Sequence, residues 1–364
     1  MLGVSKQFVL TWTRSLDQDV REDHRGWAKG QRHRWSQQTE QRITRIHHFL
    51  TTNTRQFYCG ATAIEHEWRQ RYNVPPPPLR TIGQLLSDLH LSQPRRHERT
   101  KGAARYLCYP EHTIYEQFGG RVLEADFIGK KYLTGTSEPL HFIGFAFKKA
   151  PRLRYFQRIA AQTTDAFIHH CEQFFMRFEK PMFVKVDNCA ATIGSASGKR
   201  NLSKAMLFLF ANKIIPIFSV PRQPFSQASI EGNNSVFARK FWHKFAFRNP
   251  KDVDTKLAWF NDASLAYTQY RTPPPCAAAT SFVPKVYFLR QVKELAETNK
   301  AFIDVLHENI VLPASYINYF VLAEWNIETE RLSVFFEQQL QSKIIHQQRF
   351  FVNQHSKKSY LSPV

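Results

Sequence analysis

Acidic side chains are scarce against basic ones: 30 Asp and Glu face 50 Lys and Arg in 364 residues, a formal net charge of +20. An imbalance of that size implies a polyanionic partner, and nucleic acid is the commonest. Long apolar runs are missing too. The longest clean one, Ala205 to Ala211, falls far short of the ~20 residues a spanning helix needs, so membrane insertion is not expected. The opening MLGVSKQFVLTW lacks an apolar centre and a small-residue cleavage site, so no signal peptide is expected either. The five cysteines include no CxxC pair, which argues against a zinc knuckle or a disulfide framework and for reduced thiols in the cytoplasm. The adjacent pairs His47–His48 and His169–His170 have no Cys or carboxylate at ligand spacing, so they are not read as a metal site. A Walker phosphate loop is also lacking. In GSASGKR (Gly194–Arg200) three residues separate the glycines where four are required, and Arg200 stands where Ser or Thr belongs.

Apolar material is ample, at 43% of residues with 22% charged, enough for real cores. The length suggests two or three domains. Two proline runs, Pro75–Pro78 and Pro273–Pro275, punctuate the chain. The expected parts are 1–105, 118–250, a helical connector with its proline linker at 251–280, and 281–364. The first carries 18 Lys and Arg against 9 Asp and Glu. Apolar spacing predicts helices at Gln38–Leu50, Ala61–Tyr72 and Thr81–Leu91. Two short helices around a proline-marked turn, with Arg80 at the entry of the second, fit a helix-turn-helix whose second helix meets DNA bases.

The central part changes period. Strands are expected at Val122–Tyr132, Leu140–Lys149 and Leu153–Ala160, then a helix at Asp165–Phe178 and a strand at Met182–Asp187. A helix at Leu202–Asn212, a strand at Ile214–Val220 and a helix from Ser229 to about His243 follow. The order βββαβαβα matches an α/β, RNase H-like mixed five-stranded sheet with flanking helices. A further helix is expected at Lys256–Tyr270, and strands at Tyr319–Trp325, Arg331–Phe336 and Phe350–Val352, which suggest a small C-terminal β-barrel.

Carboxylates inside apolar strands are the anomaly that carries chemistry. Asp126 sits in the middle of LEADFIG and Asp187 ends MFVKVD. Such groups cost free energy unless a partner or a cation compensates them. Mg²⁺ takes a few carboxylates together with water and phosphate. The first and fourth strands of this fold are neighbours, so the two acids can converge. Glu231 supplies a third acid on a helical face shared with Asn234, Ser235 and Ala238, while Ile230, Phe237 and Phe241 form an adjoining apolar stripe.

EADFIG around Asp126, VKVDN around Asp187 and FLFANKIIPIFSVPRQPFSQASIEGNN (Phe208–Asn234) together resemble the catalytic core of insertion-sequence transposases and retroviral integrases, the DDE family. The resemblance covers about residues 118–250. Cys189 and Ala238 depart from it, standing where members often carry Gly and a basic residue. What the resemblance implies is a two-ion site for Mg²⁺ or Mn²⁺. Asp126 bridges the ions, and Asp187 and Glu231 complete one each. The implied reaction is hydrolysis that frees a 3′ end of an element, followed by attack of that end on target DNA. Double-stranded DNA (element ends and target) is the implied partner, with a homo-oligomer on DNA in a bacterial nucleoid and no nucleotide cofactor. Expected DNA contacts are Arg80, Lys199, Arg200, Asn234, Arg239 and Lys240. The basic run Lys148, Lys149, Arg152, Arg154 and Arg158 is also suited to a DNA backbone. Two alternatives stay open: a helix-turn-helix regulator with a non-catalytic core, and an RNase H-like nuclease that cuts without joining.

Overall fold

The computed structural model describes residues 7, 35–92, 121–147, 149, 151–194, 199–222, 228–271, 282–295, 300–339 and 341–353. Three N-terminal helices open it: α1 (Gln37–Thr52), α2 (Ala61–Arg71) and α3 (Leu79–Asp88). Ser36 caps α1 by accepting the Thr39 N–H. The expected stripes meet in one core, with Ile43, Ile46 and Leu50 against Ile64, Trp68, Ile82, Leu85 and Leu86. The Trp68 indole donates to Val74 O at 2.9 Å and so ties α2 to the start of the proline turn.

The central strands are β1 (Val122–Tyr132), β2 (Pro139–Phe147) and β3 (Leu153–Ile159). Helix α4 (Thr164–Arg177), β4 (Phe183–Val186), α5 (Lys204–Ala211), β5 (Ile215–Phe218), α6 (Ala228–Lys240) and α7 (Pro250–Thr268) follow. The chain then forms β6 (Lys285–Gln291), β7 (Lys293–Leu295), β8 (Lys300–Val305), β9 (Glu308–Leu312), β10 (Phe320–Asn326), β11 (Arg331–Gln338) and β12 (Gln341–Arg349).

The expected five strands are present, in the order β3-β2-β1-β4-β5, with β1 antiparallel to β2 and parallel to β4. The sheet does not stop there. Strand β6 pairs parallel to β5 through Ile217 with Tyr287 and Phe218 with Phe288, and β10, β11 and β12 extend it to nine strands. This corrects the expectation of a five-stranded sheet followed by a separate small barrel. The reason is the near-continuous apolar run Val286–Leu289, buried on both faces as an interior strand must be. Only β7, β8 and β9 form a second sheet, whose Ala301, Ile303 and Val305 pack into the main core. Phe350 and Val352 are buried but lie beyond the last strand, which the structure places at Gln341–Arg349.

Helices cover both faces of the central strands. On one face Leu123, Ala125, Val184 and Val186 pack with Phe167 and Phe174 of α4 and Met206 and Leu209 of α5. On the other, Ile128, Phe142 and Phe156 meet Phe237 and Phe241 of α6 and Phe260 of α7. The spacing of Ile230, Phe237 and Phe241 sets which side of α6 faces the sheet, and all three are fully buried. Their polar neighbours therefore stand at the rim of that face. No described helix is long and apolar enough to cross a membrane.

Candidate functional site

Side chains alternate along β1, so Glu124 and Asp126 point to one face, the face covered by α6. Two hydrogen bonds fix that cover. The backbone N–H of Ile230 donates to Glu124 Oε2 at 2.9 Å, and Asn234 Nδ2 donates to Asp126 Oδ2 at 2.9 Å. Glu124 also stands 3.7 Å from the Lys185 ammonium on β4, its register partner across the parallel pair. Both side chains of that ion pair are buried. A carboxylate from the sheet thus meets an otherwise orphaned N–H in the first turn of α6, which bears Glu231.

Opposite Asp126 in the antiparallel register is Gly144. A Cβ there would lie 3.1 Å from Phe156 Cε1 and 3.3 Å from Asn234 Oδ1. The missing side chain lets Asn234 come down onto Asp126. Asn234 Oδ1 is buried with no hydrogen-bond partner.

Asp187 follows β4 directly, and a single helical turn, Ala190–Ile193, comes after it. Thr192 Oγ1 donates to Asp187 O at 2.6 Å, and Ser219 Oγ to Asp187 Oδ1 at 3.3 Å. Asp126, Asp187, Cys189 and Thr192 line one small depression with Ala125, Phe127, Ile143 and Phe167. Burial above all, opposed by the Asn234 amide and the Phe127 N–H and reinforced by Asp187 and Glu231, raises the Asp126 carboxyl to about 6. Glu231 is raised as well, first by burial and then by Glu124. Glu231 therefore lies within electrostatic reach of Asp126, but it is not part of the depression's lining.

The donors suit a hard cation in kind: two carboxylates in one depression, a third nearby, and a buried amide oxygen with no partner. Among the described residues no three His, Cys, Asp or Glu stand together closely enough to hold a metal ion. The arrangement does not bring the three expected acids into one ligand set, and two carboxylates could hold Mg²⁺ only with water and phosphate completing its shell. It does not resemble an all-protein cage.

Comparison with protein families and with curated proteins finds no match. Two solved structures are similar at 12% identity. One is the catalytic core domain of BIV integrase, with a TM-score of 0.30 over 42% of this chain and 86% of that one. The other is the simian T-cell lymphotropic virus intasome in complex with PP2A regulatory subunit B56 gamma, with a TM-score of 0.34 over 85% of this chain and 98% of that one. Neither likeness assigns a residue or an activity here.

The expected DNA contacts fall into different settings. Arg80 is exposed in the first turn of α3. Lys199 is exposed, whereas Arg200 is held by Glu308 in two bonds of 2.7 and 2.8 Å and lies over the Phe350 ring. A phosphate would have to displace that carboxylate. Asn234 turns inward to Asp126. Arg239 is exposed and Lys240 half-buried near the end of α6. Of the basic run, Lys148 lies outside the described residues. Arg154 donates to Asn233 Oδ1 and to the Tyr58 hydroxyl, and Arg158 forms two bonds with Asp254. These two arginines fasten α6 and α7 to β3 and are not aligned for a DNA backbone. Residues 195–198 of the GSASGKR stretch lie outside the described residues.

Three buried charged residues at the candidate site escaped the sequence reading: Glu124, Lys185 and Arg290. Each is a charged side chain inside an apolar strand, the same signal that drew attention to Asp126.

Proposed function

We propose that this chain is a DNA transposase or integrase of the DDE type, acting on the ends of a mobile element with Mg²⁺ or Mn²⁺. One observation carries the reading. Asp126 from the middle of β1 and Asp187 from the end of β4 border one small depression whose apolar lining comes from the α4 side of the sheet, while Asn234 of α6, the helix that bears Glu231, holds the Asp126 carboxylate. Asp187 and Glu231 both add to the raised proton affinity of Asp126, and a cation would relieve that repulsion. Asp126 and Asp187 would hold the ion, and Glu231 is the third proposed ligand. A bound divalent ion would supply Lewis-acid stabilisation of the charge that develops on the phosphodiester oxygens.

The chain's own residues do the rest. Asn234 fixes the Asp126 carboxylate by one hydrogen bond, and the Phe127 N–H also supports it. Ser219 and Thr192 hold Asp187 at its side chain and its carbonyl. Glu124 anchors the start of α6 and so sets the depth of Glu231. The net charge of +20 favours a DNA partner, and Arg80, Lys199 and Arg239 are the exposed cations proposed to meet it. Joining two DNA ends in one event calls for a homo-oligomer.

The test uses purified full-length protein and a supercoiled plasmid bearing the reading frame with its flanking DNA. Expected are Mg²⁺-dependent nicking and joining of a 3′-hydroxyl end. Asp126→Asn should lower both by on the order of 10²–10³-fold, the several kcal/mol that metal stabilisation supplies. Specific DNA binding without nicking would favour the regulator, and nicking without joining the simple nuclease.

A further inference from the structure

Arg290 enters from β6, far along the chain, and ends beneath the turn that carries Asp187. Its guanidinium is 4% exposed. Nη2 donates to Asn188 Oδ1 at 2.9 Å, and Nη1 to Ser219 O at 3.0 Å and to Leu289 O at 2.8 Å. Nε donates to Asp304 O at 2.7 Å. Asn188 closes the loop by donating from Nδ2 to the same Ser219 carbonyl at 2.6 Å. Ser219 Oγ in turn reaches Asp187. One planar fork therefore gathers the residue after Asp187, the residue after β5 and the end of β8.

A buried guanidinium is expensive unless its donors are met, and here four hydrogen bonds meet them. Burial lowers its proton affinity to about 10, with Asp304 and Asp187 opposing, so it stays cationic at neutral pH. Asp304 and Asp187 are the acids that face it. The positive charge lies within electrostatic reach of Asp187, while its hydrogen bonds go to Asn188 and to backbone carbonyls. Asp187 itself stays exposed at the mouth of the depression.

We infer that Arg290 is a positioning residue of the proposed site: it holds the Asp187 turn through Asn188 and Ser219, so that the C-terminal strands help to set the second acid. This rests on the reading proposed above and deepens it. Lysine cannot replace the fork, because an ammonium is a point charge without the planar spread that spans Asn188 and Ser219 together.

Two measurements on the full chain test the inference. Hydrogen–deuterium exchange of peptides spanning 186–194 reads the turn without metal. Mn²⁺ titration followed by electron paramagnetic resonance reads the acids without DNA. Arg290→Lys should speed exchange in 186–194 by on the order of tenfold while β1–β3 keep their protection, and should weaken Mn²⁺ binding about 10–100-fold, as loss of an orienting partner does. Should Arg290→Lys not fold, Asn188→Ala removes the same link from its other end and should act in the same direction. In the double variant the two effects should not add. Unchanged exchange in a folded variant overturns the inference, and so does faster exchange with unchanged Mn²⁺ affinity. If the unsubstituted chain binds no Mn²⁺, the metal reading fails, and the exchange result alone then decides whether Arg290 holds the turn.

Discussion

Asp126 makes the folded chain sensitive to pH in a defined direction. Its carboxyl is pushed up to about 6 in the fold from an ordinary value near 3.8. Below about pH 4 both states are protonated and the group contributes no difference. Between there and pH 6 the folded chain keeps a proton that the unfolded chain has lost, so stability falls as pH rises, by up to about 3 kcal/mol once the folded group ionises. Asp126→Asn should therefore unfold at higher urea than the parent chain at pH 8 and at about the same urea at pH 4. Added Mg²⁺ should stabilise the parent chain at pH 8 and leave the variant unmoved. Nicking should show an acidic limb near pH 6 that moves lower as Mg²⁺ is raised, because cation and proton compete for one carboxylate. Asp126 was legible in the sequence as an acid in an apolar strand. Asn234 was legible as a polar position beside Glu231, but its inward turn was not. That turn depends on the space left by Gly144, which is a property of the neighbouring strand.

Strand and helix meet at two points where substitution should be costly. Phe156 is fully buried among Phe237 and Phe260, so it has little freedom to retreat from a methyl group at position 144. Gly144→Ala should cost about 1–3 kcal/mol in urea unfolding, as overpacking does. It should lower nicking more than stability alone explains, since the same methyl presses on Asn234. Glu124→Ala strips the Ile230 N–H of its acceptor and the buried Lys185 of this carboxylate. It should cost about 3–5 kcal/mol, whereas Glu124→Met with Lys185→Met should recover most of the loss. The elements themselves were largely readable, because α6 and the central strands have clean apolar spacing. Strand β6 was not, since a short apolar run such as Val286–Leu289 suits a buried strand or a helix equally and its partner β5 lies some 70 positions upstream.

On the scale of the molecule, the sheet joins what the sequence suggested as separate parts. Phe218 of β5 stacks on Phe288 of β6 with ring centroids 5.4 Å apart. Cutting the chain after residue 280 would bare the β5 edge and its apolar faces. Such a fragment should be aggregated on gel filtration, although it keeps Asp126, Asp187 and Glu231; a soluble, monodisperse fragment would show that the five central strands stand alone. The N-terminal helices are tied in as well, with Tyr58 stacked 4.1 Å from Tyr267 and hydrogen-bonded to Ser264 and Arg154.

The place of β6 between β5 and β10 also orders events during synthesis. All three acids have been added by residue 231, but the strands that flank them on that side run to residue 349. At about 5–20 residues per second, that stretch takes roughly 6–24 seconds to translate. Throughout that interval a nascent chain carries its acids without the strands that seat them, so the complete site belongs to the finished polypeptide.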